Sequence, residues 1–416
     1  MTLSAVPRAT GPDDTLVGAG GTALSRLVAD PDRFAREDFG RRAVLTPAGD
    51  LPGGFSDLFG EAAVDELIAG RGLRTPFLRV AKDGSTLPAS AFTSGGGVGA
   101  GIADQLDDTR LTQLFASGAT LVLQALHRTW APVGSFAGDL AAELGHPVQV
   151  NAYVTPPQSR GFDDHYDVHD VFVLQISGEK RWRIHEPVHP SPLRDQPWTD
   201  RRDDVAAAAR TEPTIDEVLR PGDCLYLPRG YLHAATALGD VSTHLTFGVH
   251  TWTRRQLARD LLEVALADLA ADEQVRASLP FGVDVADEAD LGADLALVRE
   301  RLHAAIDAVD DATIAARMSP RVDASARASG VGPLAQLRAA QDVGGASSRL
   351  ELREHLRARI EGSRLVTRAG AVDLDEHSVE PVRVLLETGV LSIPAADERF
   401  ADLARELLAA GVVRSV

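Results

Sequence analysis

Residues 161–182 read GFDDHYDVHDVFVLQISGEKRW, and this stretch holds the strongest functional signal in the chain. Six potential metal ligands fall within it: Asp163, Asp164, His165, Asp167, His169 and Asp170. An apolar, β-branched run follows them, and Lys180 comes after that run. Histidines and carboxylates at this spacing indicate a metal site, and the apolar run favours a β-strand.

Strand geometry limits which of these side chains can bind one ion. The run HYDVHDVFVLQI predicts a strand that begins at His165, so that His165, Asp167 and His169 share one face. Residues two apart lie about 6.6 Å from each other, whereas residues four apart lie about 13 Å from each other. We therefore expect His165 and Asp167 to be ligands, His169 not to be one, and the third ligand to come from a distant strand.

The segment PGDCLYLPRGYLHAATALGDVSTHLTFGV supplies two candidates for the third ligand. His233 follows a predicted strand that Pro228 ends, in a turn-like setting, and His244 lies within the next predicted strand. Two histidines and one carboxylate form the open ligand set of oxygen-activating Fe(II) enzymes. A His-x-Asp pair by itself is a weak signal, because such pairs also occur by chance.

Lys180 gains a role if VFVLQISGEKRWRI is a hairpin that turns at Gly178. With a two-residue loop, Lys180 faces the same side as His165 and Asp167. A lysine in an apolar interior needs an anion, and one carboxylate of a 2-oxo dicarboxylic acid would supply it while the other end chelates the metal. A loop one residue longer would direct Lys180 to solvent, so the pattern leaves both arrangements open.

The composition excludes several classes of protein. The chain has 416 residues, of which 44% are hydrophobic and 25% charged, with a net charge of −18 and a single cysteine, Cys224. The acidic charge argues against nonspecific binding to DNA or anionic membranes, and one cysteine excludes an internal disulfide. We see neither a signal peptide nor a run of about 18 apolar residues, and therefore expect a cytoplasmic protein without a membrane contact.

The pattern of elements changes along the chain. Residues 1–20 are expected to be disordered. Strands are predicted at 119–126 and 147–154, and short strand-like segments continue to about residue 251, which is typical of a barrel or sandwich. After Arg254 the chain becomes rich in Ala, Leu, Glu and Arg at helical spacing, and a mixed segment follows.

These motifs together resemble a known family. The pair His165-x-Asp167, Lys180, and the segment GDCLYLPRGYLH ending at His233 are similar to the JmjC group of 2-oxoglutarate- and Fe(II)-dependent oxygenases. More closely, NAYVTPPQSRGFDDHYDVHDVFVLQISGEKRWRIHEP resembles the ribosomal oxygenases, which hydroxylate ribosomal proteins. The resemblance is strong over about residues 145–250. It implies that His165, Asp167 and His233 bind the iron and that Lys180 binds the C5 carboxylate of 2-oxoglutarate.

The resemblance also implies further residues of the cosubstrate and substrate pocket. Asn151 and Tyr153 match polar positions near the substrate in the family, and His244 matches a position that lines the cosubstrate pocket. A structural role is the alternative for each of the three: a core tyrosine, an asparagine at a strand end and a structural histidine.

The implied fold is α+β. A double-stranded β-helix (jelly-roll, cupin/JmjC) catalytic barrel would occupy residues 21–254, a helical dimerisation region 255–335, and a winged-helix-like domain 336–416. The implied activity uses Fe(II), 2-oxoglutarate and O₂ to hydroxylate an Arg or His side chain of a basic polypeptide, a ribosomal protein, and the implied enzyme is a homodimer without direct DNA binding. Hydroxylation of a small molecule or biosynthetic peptide, histone-type demethylation, and a cupin-like binding protein without turnover are the alternatives.

Overall fold

The computed structural model describes residues 22–82, 84–160, 162–343, 348–394 and 397–415. The segment predicted to be disordered, 1–20, lies outside them. The chain divides into two compact units, which are described separately. The first comprises the described part of Met1–Glu143 together with Gln149–Gly248, and the second comprises Leu144–Val148 with the described part of Val249–Val416. None of the described helices combines the length and the apolarity that crossing a membrane requires.

The first unit is built on a nine-stranded sheet with short helical segments between its strands. The strands of this unit are β1 (Val44–Thr46), β2 (Leu78–Lys82), β3 (Ser85–Thr86), β4 (Thr93–Ser94), β5 (Gln105–Leu106), β6 (Thr120–Leu123), β7 (Val148–Thr155), β8 (Asp170–His185), β9 (Ile215–Leu219), β10 (Cys224–Leu227) and β11 (Leu232–Val249). Its α-helices are α1 (Pro31–Arg33), α2 (Glu61–Asp65), α3 (Asp108–Ala116), α4 (Ala131–Leu144) and α5 (Arg202–Ala208). The strands predicted at 119–126 and 147–154 are confirmed by β6 and β7.

Neighbouring strands of the large sheet follow the order β1-β10-β8-β11-β7-β6-β2-β3, with β9 also paired to β8. The antiparallel pairs β2–β6 and β6–β7 set Arg79 opposite Val122, and Val122 opposite Tyr153. Residues directly opposite each other in antiparallel strands project to the same side of the sheet. Arg79, Val122 and Tyr153 therefore share one face.

The predicted hairpin at Gly178 is wrong. β8 runs through this position without a turn, pairing with β10 over residues 171–174 and with β9 over residues 180–184. Gly178 lies inside the strand with φ of 63°, a left-handed conformation that favours glycine and is typical of a β-bulge. The glycine in the sequence did mark a position with a left-handed backbone. A glycine occurs at such positions in both bulges and turns, so it does not distinguish them.

The bulge decides the direction of Lys180. Val171 and Val173 line a cavity before the bulge, and Lys180 and Trp182 line the same cavity after it. Before Gly178 the odd-numbered residues of β8 face the cavity, and after Gly178 the even-numbered residues do. One extra residue in a strand produces this change. Lys180 faces the predicted side, although the hairpin from which we predicted it does not exist.

The strand predicted through HYDVHDVFVLQI is wrong in its first part. β8 begins only at Asp170. Asp163, Asp164 and Asp167 precede it, and aspartate is among the residues that strands disfavour. His165 makes a single antiparallel bridge to His233 instead: its N–H donates to the His233 carbonyl at 3.2 Å, and the His233 N–H donates back at 2.8 Å. His233 was expected in a turn, but it is the second residue of β11.

The second unit contains seven helices and two small sheets among its described residues. They are α6 (Arg254–Leu269), α7 (Glu273–Arg276), α8 (Glu288–Ala308), α9 (Asp311–Ser325), α10 (Pro333–Asp342), β12 (Ser348–Leu352), β13 (Ala358–Glu361), β14 (Arg364–Thr367), β15 (Gly370–Asp373), α11 (Val379–Thr388), β16 (Val390–Ile393), α12 (Glu398–Ala409) and β17 (Val413–Ser415), the last two helices belonging with the sheets. The sheets have the orders β16-β12-β17 and β13-β14-β15. Helices after Arg254 are as predicted; the boundaries at 254 and 335 and the winged-helix-like assignment stay predictions.

We expect Gly178→Ala to lower the free energy of unfolding by about 3 kcal/mol, because the substitution combines a positive φ with a steric clash. A Cβ at Gly178 would lie 2.1 Å from the backbone oxygen of Val241. Gly239→Ala is the matched control, since Gly239 has φ of 66° with nothing within 4 Å; it should cost about 1 kcal/mol. Denaturant unfolding followed by circular dichroism measures both, and equal losses would contradict the clash.

Candidate metal centre

Three side chains that the sequence singled out lie together. His165, Asp167 and His233 each offer one ligand atom, and these atoms all lie within 4.8 Å of one another. Nε2 of His233 is 3.8 Å from Oδ2 of Asp167, and the two imidazole centroids are 4.4 Å apart. Among the described residues this is the one group of three or more such side chains close enough to hold a metal ion.

Backbone contacts orient both imidazoles. Nδ1 of His165 lies 2.7 Å from the carbonyl oxygen of Asp163, and Nδ1 of His233 lies 3.1 Å from that of Tyr231. A carbonyl oxygen only accepts hydrogen bonds, so the geometry assigns the proton to Nδ1 in each ring. The Nε2 lone pairs are then available to a metal, which is the usual second contact of a metal-binding histidine.

The electrostatics of the group favour the protonation states that a metal requires. Burial, assisted by the neighbouring His165, lowers the pKa of His233 to about 4. Burial would by itself raise the pKa of Asp167, but the surrounding His169, His233 and His165 lower it below its ordinary value. Near neutral pH, His233 is therefore neutral and Asp167 is ionised, as ligands must be.

Lys180 lies in the wall of the same cavity, which encloses about 560 Å³ including space open to solvent. Its side chain is buried, and its amino group donates a hydrogen bond to Oγ1 of Thr155 at 3.1 Å. Thr120 donates in turn to Thr155 at 3.2 Å. Burial lowers the pKa of Lys180 to about 7, and Lys180 forms no ion pair with any described residue. A buried ammonium that lacks a counter-ion is a binding position for an anion.

Two of the other predicted pocket residues also line this cavity. The ring of His244 stacks on that of Tyr153, with centroids 4.9 Å apart and planes 4° apart, and it meets Trp182 edge-on at 5.4 Å. Burial, and secondarily the charge of Lys180, hold the pKa of His244 well below its ordinary value, so this ring is neutral. His244 lies outside the three-residue ligand group.

Asn151 does not line the cavity. Its Oδ1 accepts a hydrogen bond from the backbone N–H of Ala125 at 3.1 Å. It is also close enough to the Tyr153 hydroxyl to oppose, by hydrogen bonding, the effect of burial that raises the pKa of that tyrosine to about 12. Asn151 therefore contacts the loop at Ala125 and the side chain of Tyr153. A role of Asn151 in binding cosubstrate or substrate stays a prediction.

The other acidic and histidine side chains of the opening stretch have structural partners. Asp170 is fully buried and accepts hydrogen bonds from the Tyr226 hydroxyl at 2.7 Å and the Arg229 N–H at 3.0 Å. The ring of His169 occupies the space beside Gly248, where a Cβ would lie 2.6 Å from Cδ2 of the imidazole. The exclusion of His169 as a ligand agrees with its position, although the strand that we used to argue it is absent.

Sequence reasoning missed the partners of Lys180 and a second cation. Thr155 follows Tyr153 by two residues on β7, so strand alternation, which puts it on the same face as Asn151 and Tyr153, could have found it. Arg79 is a charged residue inside the apolar strand β2, and its guanidinium carbon lies 4.9 Å from the ring centroid of Phe162. A charged residue flanked by Leu78 and Val80 was the available signal.

Comparison with known families places this geometry. Residues 136–257 match the sequence model of the JmjC domain, and this interval holds all three side chains of the ligand group together with Lys180. The chain contains a JmjC domain. The predicted resemblance is thereby confirmed for the part of the chain that carries the site.

Relatives of the JmjC domain extend the similarity. Ribosomal oxygenase 1 of Gallus gallus is 29% identical over 305 residues, which is 70% of this chain and 48% of that protein. The human ribosomal oxygenase 1 is 31% identical over 255 residues, 60% and 37% of the two chains. The bifunctional lysine-specific demethylase and histidyl-hydroxylase NO66 of Drosophila erecta is 41% identical over 120 residues, 29% and 17% of the two chains. The chain thus spans less than half the length of these curated relatives.

Solved structures carry the same fold. The Escherichia coli ribosomal oxygenase YcfD aligns over 94% of this chain and 99% of its own, with a TM-score of 0.54 and 18% identity. YcfD has also been solved in complex with cobalt and 2-oxoglutarate, and that structure aligns with a TM-score of 0.52, 18% identity and coverages of 93% and 98%. The predicted JmjC/cupin fold is confirmed.

We expect Asp170→Ala to lower the free energy of unfolding by about 3 kcal/mol, because removing one partner of a buried polar network leaves the others unpaired. Asp163→Ala is the matched control, since Asp163 is exposed and pairs only with Arg160, at 3.0 Å. It should cost less than about 1 kcal/mol. Thermal and denaturant unfolding of both variants measures the difference, and a harmless Asp170→Ala would contradict the structural role.

Proposed function

We propose that this chain is an Fe(II)- and 2-oxoglutarate-dependent protein hydroxylase that acts on an Arg or His side chain of a ribosomal protein. One observation carries the proposal: an open group of two histidines and one carboxylate shares a cavity with a buried lysine that lacks a counter-ion. The ligand group matches the donor set that selects Fe(II) in oxygen-activating enzymes. The lysine matches the far carboxylate of a chelating dicarboxylate.

The donor chemistry of the residues fits both groups. His165, Asp167 and His233 would hold Fe(II), and Lys180 with Thr155 would hold the C5 carboxylate of 2-oxoglutarate. When bound, the iron couples decarboxylation of 2-oxoglutarate by O₂ to hydroxylation of a C–H bond, with release of succinate and CO₂.

The protein's own contribution is binding, orientation and exclusion of water. The backbone contacts of the two histidines hold their rings in one tautomer, and Thr155 fixes the amino group of Lys180. The rings of Tyr153, Trp182 and His244 form an aromatic wall of the cavity. A neutral His244 adds no charge beside Lys180, so the ammonium stays available to the carboxylate.

The names of the relatives support the class of substrate. They include ribosomal oxygenases and a histidyl-hydroxylase, and YcfD is described in complex with cobalt and 2-oxoglutarate. The net charge of −18 would steer a basic polypeptide toward this protein, and the association should weaken as ionic strength rises.

We further propose a cytoplasmic homodimer that does not bind DNA directly. Apolar side chains exposed on α6 and α8 support an interface between two copies: Leu257, Leu262, Leu266, Leu295 and Val298. The acidic charge disfavours nucleic acid, and the single, buried cysteine is compatible with a reducing compartment.

The proposal is tested by incubating intact ribosomes with the protein, Fe(II), 2-oxoglutarate and O₂, followed by mass spectrometry of the ribosomal proteins. We expect a gain of one oxygen atom on one Arg or His side chain, dependent on 2-oxoglutarate. Succinate release without any gain on a ribosomal protein would direct the search to a small molecule or a biosynthetic peptide. Absence of 2-oxoglutarate turnover under all conditions would favour a binding protein.

His165→Ala should abolish 2-oxoglutarate turnover and weaken binding of Fe(II) or Co(II) by about 100-fold or more, because it removes one of three ligands. His169→Ala is the matched control: the same residue type lies four positions along the chain but outside the ligand group. It should retain metal binding within about tenfold. Isothermal titration with Co(II) and a succinate assay provide the measurements, and reversal of the two results would overturn the ligand assignment.

Binding of 2-oxoglutarate should take up a proton above neutral pH. The pKa of Lys180 is lowered to about 7 by burial, so the free lysine is mostly neutral at pH 8.5 or so, whereas a bound carboxylate raises its pKa and favours the ammonium. Affinity should therefore be constant well below pH 7 and fall as the pH rises through 7.

Calorimetry of the Co(II)-loaded protein under nitrogen, in two buffers of different ionisation enthalpy, measures this proton uptake. Lys180→Arg is the control, because a guanidinium stays protonated and should show no uptake. Equal proton counts for the two proteins would contradict the role of Lys180.

A further inference from the structure

Gln175 is a buried glutamine that the proposed reaction does not use. It lies in β8 and is fully buried, although glutamine is mostly found at protein surfaces. By strand alternation it projects to the same side as Val171 and Val173, which line the cavity. Its amide group therefore needs hydrogen-bond partners inside the protein.

The amide nitrogen of Gln175 contacts the bulge directly. Nε2 donates to the carbonyl oxygens of Ser177 at 2.9 Å and Gly178 at 3.1 Å, and to Oγ of Ser242 at 2.9 Å. A carbonyl oxygen only accepts hydrogen bonds, so the nitrogen of the amide, and not its oxygen, faces the bulge. Oε1 is buried and has no hydrogen-bond partner among the described residues. The side chain is thus placed for its donor, and an unpaired acceptor is the cost of that placement.

The register of β8 against β9 and β10 contains the extra residue of the bulge. Lys180 pairs with Leu219 of β9, and Leu174 pairs with Cys224 of β10. Five residues of β8, 175–179, therefore lie opposite the four residues 220–223 that join β9 to β10. The regular ladder is disrupted where one residue is unmatched, so a side-chain donor to the carbonyl groups at this point stabilises the bulge.

Contacts on both edges of β8 hold the bulge in place. On one edge, the backbone N–H of Gln175 donates to the carbonyl oxygen of Asp223, just before β10, at 3.1 Å. On the other edge lies β11, where a Cβ at Gly178 would be 2.1 Å from the backbone oxygen of Val241. The side chain of Gln175 reaches Ser242 of the same strand. Gln175 thus connects the bulge to both neighbours of β8.

Lys180 depends on the bulge for its position in the cavity. A shift of β8 by one residue would project every later side chain to the opposite face. Such a shift is favoured in the unloaded protein, because Lys180 is buried and forms no ion pair with any described residue. The hydrogen bond from Lys180 to Thr155 opposes it. Further resistance has to come from the backbone around Gly178.

We propose that Gln175 is a positioning residue for the cosubstrate. By holding the carbonyl groups of Ser177 and Gly178, its amide keeps the extra residue of β8 at the bulge, and this keeps Lys180 in the cavity before a dicarboxylate enters. The inference rests on the proposed function for the identity of the anion. The position of Lys180 in the free protein does not depend on that function.

Loss of this contact should affect one part of the site and spare the other. Lys180 would occupy the cavity in only a fraction of the molecules, and the affinity for the dicarboxylate would fall by that fraction. The bridge between His165 and His233 contains no residue of the bulge, so binding of a metal ion should be unchanged. A residue that only stabilised the fold would not separate the two ligands in this way.

The first test follows Lys180 in the free protein, without metal or cosubstrate. Lys82 and Lys180 are the only two lysines of the sequence, so lysine labelled with ¹³C at Cε gives two NMR signals. In the wild type, burial sets the pKa of Lys180 at about 7. Gln175→Met keeps the length of the side chain and removes its N–H donors, so the pKa of Lys180 should rise to about 8 or higher as the amine reaches water. The signal of Lys82 is the internal reference.

The second test measures both ligands by calorimetry under nitrogen. Gln175→Met should weaken binding of 2-oxoglutarate to the Co(II)-loaded protein about tenfold, and should leave the affinity for Co(II) within about twofold of wild type. In the succinate assay, KM for 2-oxoglutarate should rise about tenfold while kcat falls less than about threefold.

Gln336→Met is the matched control. Nε2 of Gln336 also donates to two backbone carbonyl oxygens, those of Leu408 at 2.9 Å and Val413 at 2.8 Å, in the second unit. This variant should lose thermal stability and leave the titration of Lys180 and the affinity for 2-oxoglutarate unchanged. Ser242→Ala removes the third acceptor, keeps the contacts of Gln175 to the bulge, and should resemble wild type.

An unchanged titration of Lys180 and an unchanged affinity for 2-oxoglutarate in Gln175→Met would overturn the inference. So would equal losses in Gln336→Met or Ser242→Ala, or a loss of Co(II) affinity as large as that of 2-oxoglutarate. If Gln175→Met does not fold, Gln175→Asn carries the same expectations, because its side chain is too short to reach both carbonyl groups. If wild type neither binds nor turns over 2-oxoglutarate, the proposed function fails, and the titration of Lys180 still decides the positioning role.

Discussion

Two backbone hydrogen bonds between His165 and His233 position the group of three potential metal ligands. The residues lie 68 positions apart in the sequence, and the bridge sets their rings with centroids 4.4 Å apart. Nδ1 of each ring is hydrogen-bonded to the carbonyl oxygen two residues earlier in the sequence, so that Nε2 is directed toward Asp167. The bridge joins the loop before β8 to the start of β11. The positions of His165 and His233 therefore depend on these two long strands.

A second constraint is the bulge in β8. Gly178 adopts a left-handed backbone so close to Val241 that no side chain fits, and the bulge brings Lys180 to the same cavity as Val171 and Val173. Thr155 then fixes the amino group. Without the bulge, strict alternation would send Lys180 to the opposite face. The position of Lys180 in the cavity thus follows from one backbone irregularity and is independent of the bridge between His165 and His233.

The cavity sets charged and uncharged side chains close together in a protein whose net charge is −18. Asp167 and Lys180 carry opposite charges in the site, and the aromatic rings between them add none at neutral pH. Arg79 adds a cation beside the site, over the face of Phe162, and contributes to lowering the pKa of Tyr153 and of Asp167.

The sequence by itself determined His165 and Asp167 as a candidate metal pair and the point where strands give way to helices, because residue types and spacing are local properties. They left open whether His233 or His244 is the third ligand and which way Lys180 faces, and the family resemblance chose between these. Only the tertiary structure decided which side chains meet. The hairpin predicted at Gly178 was wrong because a glycine signal does not distinguish a turn from a bulge. The strand predicted at His165 was wrong because β8 begins only at Asp170 and His165 forms a single bridge to the distant His233. The positions of Thr155 and Arg79 depend on pairing between strands far apart in the chain, and such register is set by the whole sheet and by no single segment.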